Sequence, residues 1–413
     1  MGSPLSTAFP GNTAFPGNTA VPGNTAVLDR IDAATSDLDP PLAALDLTTL
    51  RSNADDLVRR ASGTPVRVAS KSVRCRTVLE EVLGSGLTAQ GGFRGIMAYS
   101  LREALWLVGC GARDILLGYP TVDRAGLAEL AADPVAAGSV TLMIDAPAQL
   151  ELIRNTLGTR TVRPRVCLDV DASLRIGPVH LGVRRSPLRT PDQAAELARL
   201  AVAGSFDVVG IMFYEAQIAG LPDSSLPVRM VKRMSARELA TRRGEVVDAV
   251  RAVVGDLEIV NSGGTGSLEV SASDPVVTEV TAGSGLYVPT LFDAYDSFTP
   301  NPSLFFALPA VRKPAPSITT LFGGGYIASG PPGAARVPRP VRPAGLRLLR
   351  NEGAGEVQTP VRGRAASDVP IGGRVWFRHA KAGELCERFA QIHVVEAGAR
   401  TAVPTYRGEG HCW

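Results

Sequence analysis

The sequence predicts an α/β protein, a (β/α)8 TIM barrel followed by a C-terminal β-rich domain. Three observations predict it. Eight short apolar runs recur between residues 66 and 281. The stretches between them carry helix-start or helix-end signals. After residue 296 the helical period stops, and short apolar runs lie between turns. Short, continuously apolar runs suit strands buried on both faces of a parallel sheet. Eight of them, alternating with helices over about 230 residues, match the barrel in count and size. A doubly wound open sheet is the alternative, but it needs a switch point that the pattern does not show.

Near its start the chain carries a tandem six-residue repeat, TAFPGN-TAFPGN-TAVPGN-TAV, over residues 7–27. Pro-Gly-Asn forces a turn each time and there is little to bury, so residues 1–28 read as a disordered tail. Residues 29–295 are assigned to the barrel. Its strands are expected at 66–70, 95–99, 114–118, 139–144, 164–170, 207–213, 257–261 and 276–281. Ser100 with Glu103, and Ser235 with Glu238, have capping-box spacing. Thr190-Pro191 places a cap before a proline at the first helical position. Asp145 can cap a helix at 146–154, and Gly84, Gly204 and Gly255 suit helix ends. Residues 296–413 form the β domain, with runs at Ser317–Phe322, Leu346–Leu349, Val357–Val361, Arg374–Arg378 and Gln391–Val395. Residues 330–345, rich in Pro and Gly, read as a surface loop.

Composition narrows the function classes. The chain has 413 residues, a net charge of +3, 45% hydrophobic and 20% charged residues. That near balance argues against a nucleic-acid binder. No apolar run reaches the ~18 residues of a spanning helix, and no basic, apolar leader opens the chain. Five cysteines without a CxxC pair fit a reducing compartment, so a cytoplasmic protein is the expectation.

Barrel enzymes carry their chemistry at the C-terminal ends of the strands. Two adjacent ends are Gly-rich with hydroxyls: Asn261-Ser-Gly-Gly-Thr-Gly266 and Thr281-Ala-Gly-Ser-Gly285. Glycines admit an anion to backbone amides, and loops after strands 7 and 8 are this architecture's phosphate site. Strand 1 ends at Ser70-Lys71. Only four of 43 basic residues are lysine (Lys71, Lys232, Lys313, Lys381). Arginine serves wherever charge suffices, but only a lysine amine can deprotonate and attack a carbonyl. Lys71 across from a phosphate site suggests a Schiff base. The carbonyl could belong to a phosphorylated cofactor or to a sugar phosphate, the latter giving a cofactor-free aldolase.

The stretch Ala69-Ser-Lys-Ser-Val-Arg74 resembles the lysine motif of fold-type III pyridoxal-phosphate enzymes, the alanine-racemase-like barrels. Ser262-Gly-Gly-Thr265 and Ala282-Gly-Ser-Gly-Leu-Tyr287 resemble their loops, and Glu279-Val-Thr-Ala-Gly-Ser-Gly-Leu-Tyr-Val-Pro-Thr-Leu-Phe-Asp293 is the most specific piece of the resemblance. Over roughly residues 45–400 the sequence looks most like the D-threonine aldolase and D-serine dehydratase branch, also labelled amino acid deaminase/aldolase.

That resemblance implies pyridoxal 5'-phosphate on Lys71, with its phosphate on Ser262, Gly264, Thr265, Gly283 and Ser284. It implies Arg175 near the pyridine nitrogen, with a salt bridge to Asp169 or Asp171 as the alternative. Tyr214 would lie over the ring or near the substrate hydroxyl, or simply pack at the barrel rim. Asp169 and Asp171 read as structural. Members of the branch often hold a divalent metal, Zn²⁺ or Mn²⁺, on a histidine and an Asp or Cys two residues later. His379 fits the first place, but Lys381 stands at the second, leaving Cys386 or Glu384 as substitutes. Alternatively the Lys381 ammonium replaces the metal. The implied activity is a lyase on a β-hydroxy-D-amino acid, by retro-aldol cleavage or by dehydration. A racemase and a non-catalytic pyridoxal-phosphate carrier are the alternatives. The implied partners are a small amino acid substrate and a second copy in a homodimer, with no nucleic acid or membrane.

Overall fold

A computed structural model describes residues 24–158, 162–223, 225–299 and 301–413. Most of the repeat tail lies outside these residues. Its last part does not, and there the structure corrects the expectation: Asn24–Ala34 is a helix. Val27, Leu28 and Ile31 on that helix are buried against Phe305 and Trp376. Burial of one apolar face stabilises a segment whose composition alone reads as unstructured. Among the described residues no helix is long and apolar enough to cross a membrane.

Eight parallel strands close the barrel: Val66–Ala69, Phe93–Ala98, Ile115–Leu117, Val140–Ile144, Arg165–Val170, Asp207–Phe213, Ile259–Ser262 and Glu279–Ala282. The first pairs with both the second and the eighth, which closes the ring. Each falls within a few residues of its expected run. Met97, Leu116, Met143, Cys167, Val209, Met212 and Ile259 form one apolar cluster across six neighbouring strands, the second to the seventh. On the first strand the fully buried Arg67 bonds Glu279 through Nε (2.6 Å) and Nη2 (2.7 Å) and Asp114 through Nη1 (2.8 Å). Glu279 also accepts from Asn261 Nδ2 at 2.7 Å. Each of these charges has an opposite partner, which offsets the cost of taking them out of water.

The helix signals hold in part. Thr190 caps Pro191–Ala203 together with Gln193. Ser100 accepts from Glu103 N, but the Glu103 carboxylate turns back to Tyr99 N instead of Ser100 N. Ala146, not Asp145, is the cap of Pro147–Leu157, while the Asp145 carboxylate takes a bond from Gln149. Ser235 is no cap: it is buried inside a continuous helix, Leu226–Val254, which already starts at Ser225-Leu226-Pro227. Gly84 and Gly255 end helices at positive φ; after Gly204 it is Ser205 that takes the left-handed conformation.

The β domain is built from both ends of the chain. Leu42–Asp46, assigned to the barrel region from sequence, instead pairs antiparallel with Leu304–Ala315 and parallel with Gln391–Glu396. The sheet continues through Ile318–Phe322, Gln358–Arg362, Arg374–Arg378 and Ala399–Pro404. The expected loop 330–345 contains a strand as well, Arg339–Arg342, on Arg374–Arg378.

Candidate functional site

The first strand ends in a short turn, Ser70–Ser72, that carries Lys71 to the C-terminal mouth of the barrel. The turn is held from outside. Arg74 donates from Nε to the Lys71 carbonyl (3.0 Å) and from Nη1 to Glu387 of the β domain (2.5 Å). Its own carbonyl accepts from Tyr406 N at 3.0 Å. Gly383, at φ +86°, lies so close that a Cβ there would come within 2.0 Å of the Lys71 oxygen. Two segments of the β domain therefore fix the position of the lysine.

Lys71 Nζ meets the phenol of Tyr119 at 2.5 Å. Tyr119 stands just past the end of the third strand. Burial raises its pKa, but the Lys71 cation and its hydrogen bond, with Arg185 and Lys381 behind them, outweigh that and hold the phenol below its ordinary value. The guanidinium of Arg185 lies 5.5 Å from the Tyr119 ring centre and 5.0 Å from that of Tyr214. A Cβ placed on Gly264 would sit 3.8 Å from the Tyr214 ring. Beyond it Thr265 Oγ1 and Ser284 Oγ face each other at 3.1 Å, and Gly285 N donates to Thr265 at 3.0 Å. Lys71, Tyr119, Arg185, Tyr214, Gly264, Thr265 and Ser284 thus form one continuous rim.

Three expected residues have other surroundings. Arg175 is not on this rim. It stands on a hairpin, Leu174–Ile176 with Val179–Leu181, and bonds Asp171 at 2.7 Å with its side chain 46% exposed. The salt-bridge alternative is the one realised, and Arg185 is the guanidinium at the mouth. Ser262 is buried behind the loop. Its hydroxyl accepts from Arg243 (2.9 Å) and lies 2.8 Å from Glu215 and 3.0 Å from the Phe213 carbonyl, so it has no capacity left for a phosphate. Gly283 packs against Ala69, where a Cβ would come within 2.5 Å of the carbonyl; its smallness brings the eighth-strand loop onto the Lys71 strand.

Sequence reasoning missed Tyr119, Arg185, the part played by Glu215 and the state of Asp169. Glu215 is fully buried, and its carboxylate accepts from Gly263 N (3.1 Å) and from the hydroxyls of Ser262, Ser267 and Ser271. It shapes the Gly-rich loop from within. Asp169, on the fifth strand, has its pKa pushed up to about 7 by burial first, then by Asp145, with Arg185 partly opposing. Tyr119 and Asp169 carried a usable signal, since both stand at strand C-terminal ends.

The residues of the rim fit pyridoxal phosphate, the cofactor that the family resemblance implies. Two hydroxyls at the tips of adjacent strands suit its phosphate, a half-buried amine suits its aldehyde, and the Tyr214 ring beside Gly264 suits its flat ring. The donor set does not fit a divalent metal. His379 is buried with neither ring nitrogen hydrogen-bonded, and burial and Arg378 lower its pKa to about 3, so it is neutral and could ligate, but only as a single histidine. Lys381 is tied to Ser329 and Glu384. Among the described residues no three His, Cys, Asp or Glu side chains gather as ligands.

Comparisons with known proteins agree with this fold. A D-threonine aldolase from Filomicrobium marinum superposes with a TM-score of 0.74 at 18% identity, over 90% of this chain and 96% of the aldolase. A D-threo-3-hydroxyaspartate dehydratase from Delftia sp. HT23 gives 0.71 at 17% identity, over 92% and 99%. A cysteine-to-alanine variant of such a dehydratase, in a metal-free form, gives 0.69 at 18%, over 92% and 99%. At these identities the likeness is one of fold. No curated protein matches the sequence. The family model described as alanine racemase, N-terminal domain, matches residues 45–290, well over half of the chain. The protein therefore belongs to the alanine racemase N-terminal domain family.

Proposed function

We propose that the protein is a pyridoxal-phosphate-dependent lyase acting on a β-hydroxy-D-amino acid. The observation that carries the reading is the rim itself: a lysine amine on a tyrosine phenol, joined through Arg185 and Tyr214 to two facing hydroxyls. The choice of a β-hydroxy-D-amino acid draws on the resemblance to an aldolase and dehydratases. When bound, the cofactor withdraws electrons from the substrate's α-carbon.

The chain's own residues do the rest. Lys71 attaches the cofactor and, once released from it, holds a proton at Nζ. Tyr119, 2.5 Å away, gives or takes that proton, and the positive charges around the phenol ease its ionisation. Thr265 and Ser284 anchor the phosphate. Arg185 sets a permanent positive charge over the mouth, since guanidinium does not deprotonate.

Product analysis with D-threonine and D-serine tests this. Glycine with an aldehyde marks retro-aldol cleavage; a 2-oxo acid with ammonia marks dehydration. Either supports a lyase. Formation of the L isomer alone indicates a racemase, and a bound cofactor without turnover indicates a carrier; both overturn the reading. The homodimer belongs to the same proposal and is measured by sedimentation.

A further inference from the structure

A cation that none of these roles uses stands over the same mouth. The segment Arg378–Glu387 reaches from the β domain across the Lys71 turn. Its start is tied to the segment after the eighth strand: Thr290 N donates to the His379 carbonyl (3.0 Å) and Leu291 N to that of Ala380 (3.2 Å). Its middle is tied to Lys71, where Gly383 presses on the lysine carbonyl, and its end to Arg74 through Glu387. Lys381 lies between these anchors. Its ammonium bonds Ser329 Oγ at 2.6 Å and lies 3.4 Å from Glu384 Oε1. Glu384 in turn accepts from Ser329 N at 2.9 Å. The ammonium is fixed from behind, while 43% of the side chain remains exposed.

We propose that Lys381 recognises the oxygen on the substrate's β-carbon, by donating a hydrogen bond to the β-hydroxyl. This deepens the lyase reading and rests on it. An ammonium carries three donors. Ser329 accepts from one and Glu384 stands beside it as a counter-charge, which leaves donor capacity for a ligand in the mouth. The Lys381 charge is felt at Tyr119, the partner of Lys71, so the ammonium stands within reach of the groups at the mouth. Substrates with a β-oxygen gain a charge-assisted bond that alanine-like substrates lack, worth ~10-fold or more in affinity.

The test uses the cofactor-loaded protein. Binding of D-serine and D-alanine is measured by rapid-mixing absorbance, before turnover, in the wild type, K381M and K381R. The wild type is expected to bind D-serine ~10-fold more tightly than D-alanine. K381M should bring the two within about threefold, by weakening D-serine alone, and K381R should keep part of the preference. An unchanged preference in K381M, with cofactor band and melting temperature intact, overturns the assignment. So does a wild type without preference, or one stoichiometric divalent metal that His379→Ala removes. If K381M does not fold, K381Q takes its place: a preference cut to within about threefold supports the assignment, and an unchanged preference overturns it. These results leave the lyase reading standing. A protein that responds to neither amino acid overturns both.

Discussion

Lys71 and Tyr119 are the pair on which the chemistry turns. Replacing Tyr119 with Phe keeps the ring under Arg185 and removes only the hydroxyl. The expected result is a fall in kcat of ~10²-fold with cofactor still bound, and loss of one limb of the pH–rate profile. An unchanged profile would take the proton-transfer role from Tyr119. Asp169 makes a separate prediction. Its pKa is raised to about 7, so between about pH 4 and pH 7 the folded protein keeps a proton that the unfolded chain has released. Stability therefore falls as pH rises through that window. D169N should remove this dependence and stabilise the protein at pH 8 by on the order of 1–3 kcal/mol, with little change at pH 4. Thermal melting at the two pH values checks it. Arg175 stands on a hairpin that turns at Gly177, at positive φ, and Arg185 follows it; this hairpin is not visible in the strand–helix pattern, so the pattern does not tell the two arginines apart. Ser262 ends a strand beside glycines and reads as a phosphate ligand, yet Glu215 and Arg243 claim its hydroxyl.

At the scale of elements, the Gly-rich loop after the seventh strand depends on one carboxylate. E215Q would set an amide donor against hydroxyl and amide groups that now donate to Glu215. Leaving such donors unsatisfied costs about 1–3 kcal/mol each. The expected outcome is a cofactor dissociation constant raised ~10-fold or more, read by equilibrium dialysis, without loss of the Lys71 attachment. The arm over Lys71 has its own weak point. G383A places a methyl group within 2.0 Å of the Lys71 carbonyl at a φ of +86°. The arm must move away, and a slower return of the cofactor band after removal of the cofactor measures that. The eight barrel strands were legible because each is a short run buried on both sides. Leu304–Ala315 was not, since Pro309 and Pro314 break its pattern while the structure places it at the centre of the second sheet.

For the whole molecule, the second sheet joins the two ends of the chain. Leu45 is fully buried on the strand that pairs with Leu304–Ala315 and Gln391–Glu396. Leu45→Ala should cost about 2–5 kcal/mol and shift one cooperative unfolding transition, not split it. Sequence could not show this joining, because LAALD fits a helix or a strand equally and its partners lie in a distant part of the chain. The same connection puts Arg378–Glu387 over the barrel mouth, so the site needs both halves of the fold. The proposed chemistry requires that Lys71 carry the cofactor there. Its most direct test is borohydride reduction of the protein loaded with pyridoxal phosphate, followed by mass mapping of the label. A single phosphopyridoxyl group is expected, on Lys71. A label on Lys232, Lys313 or Lys381 with Lys71 unmodified, or no label at all, would contradict it.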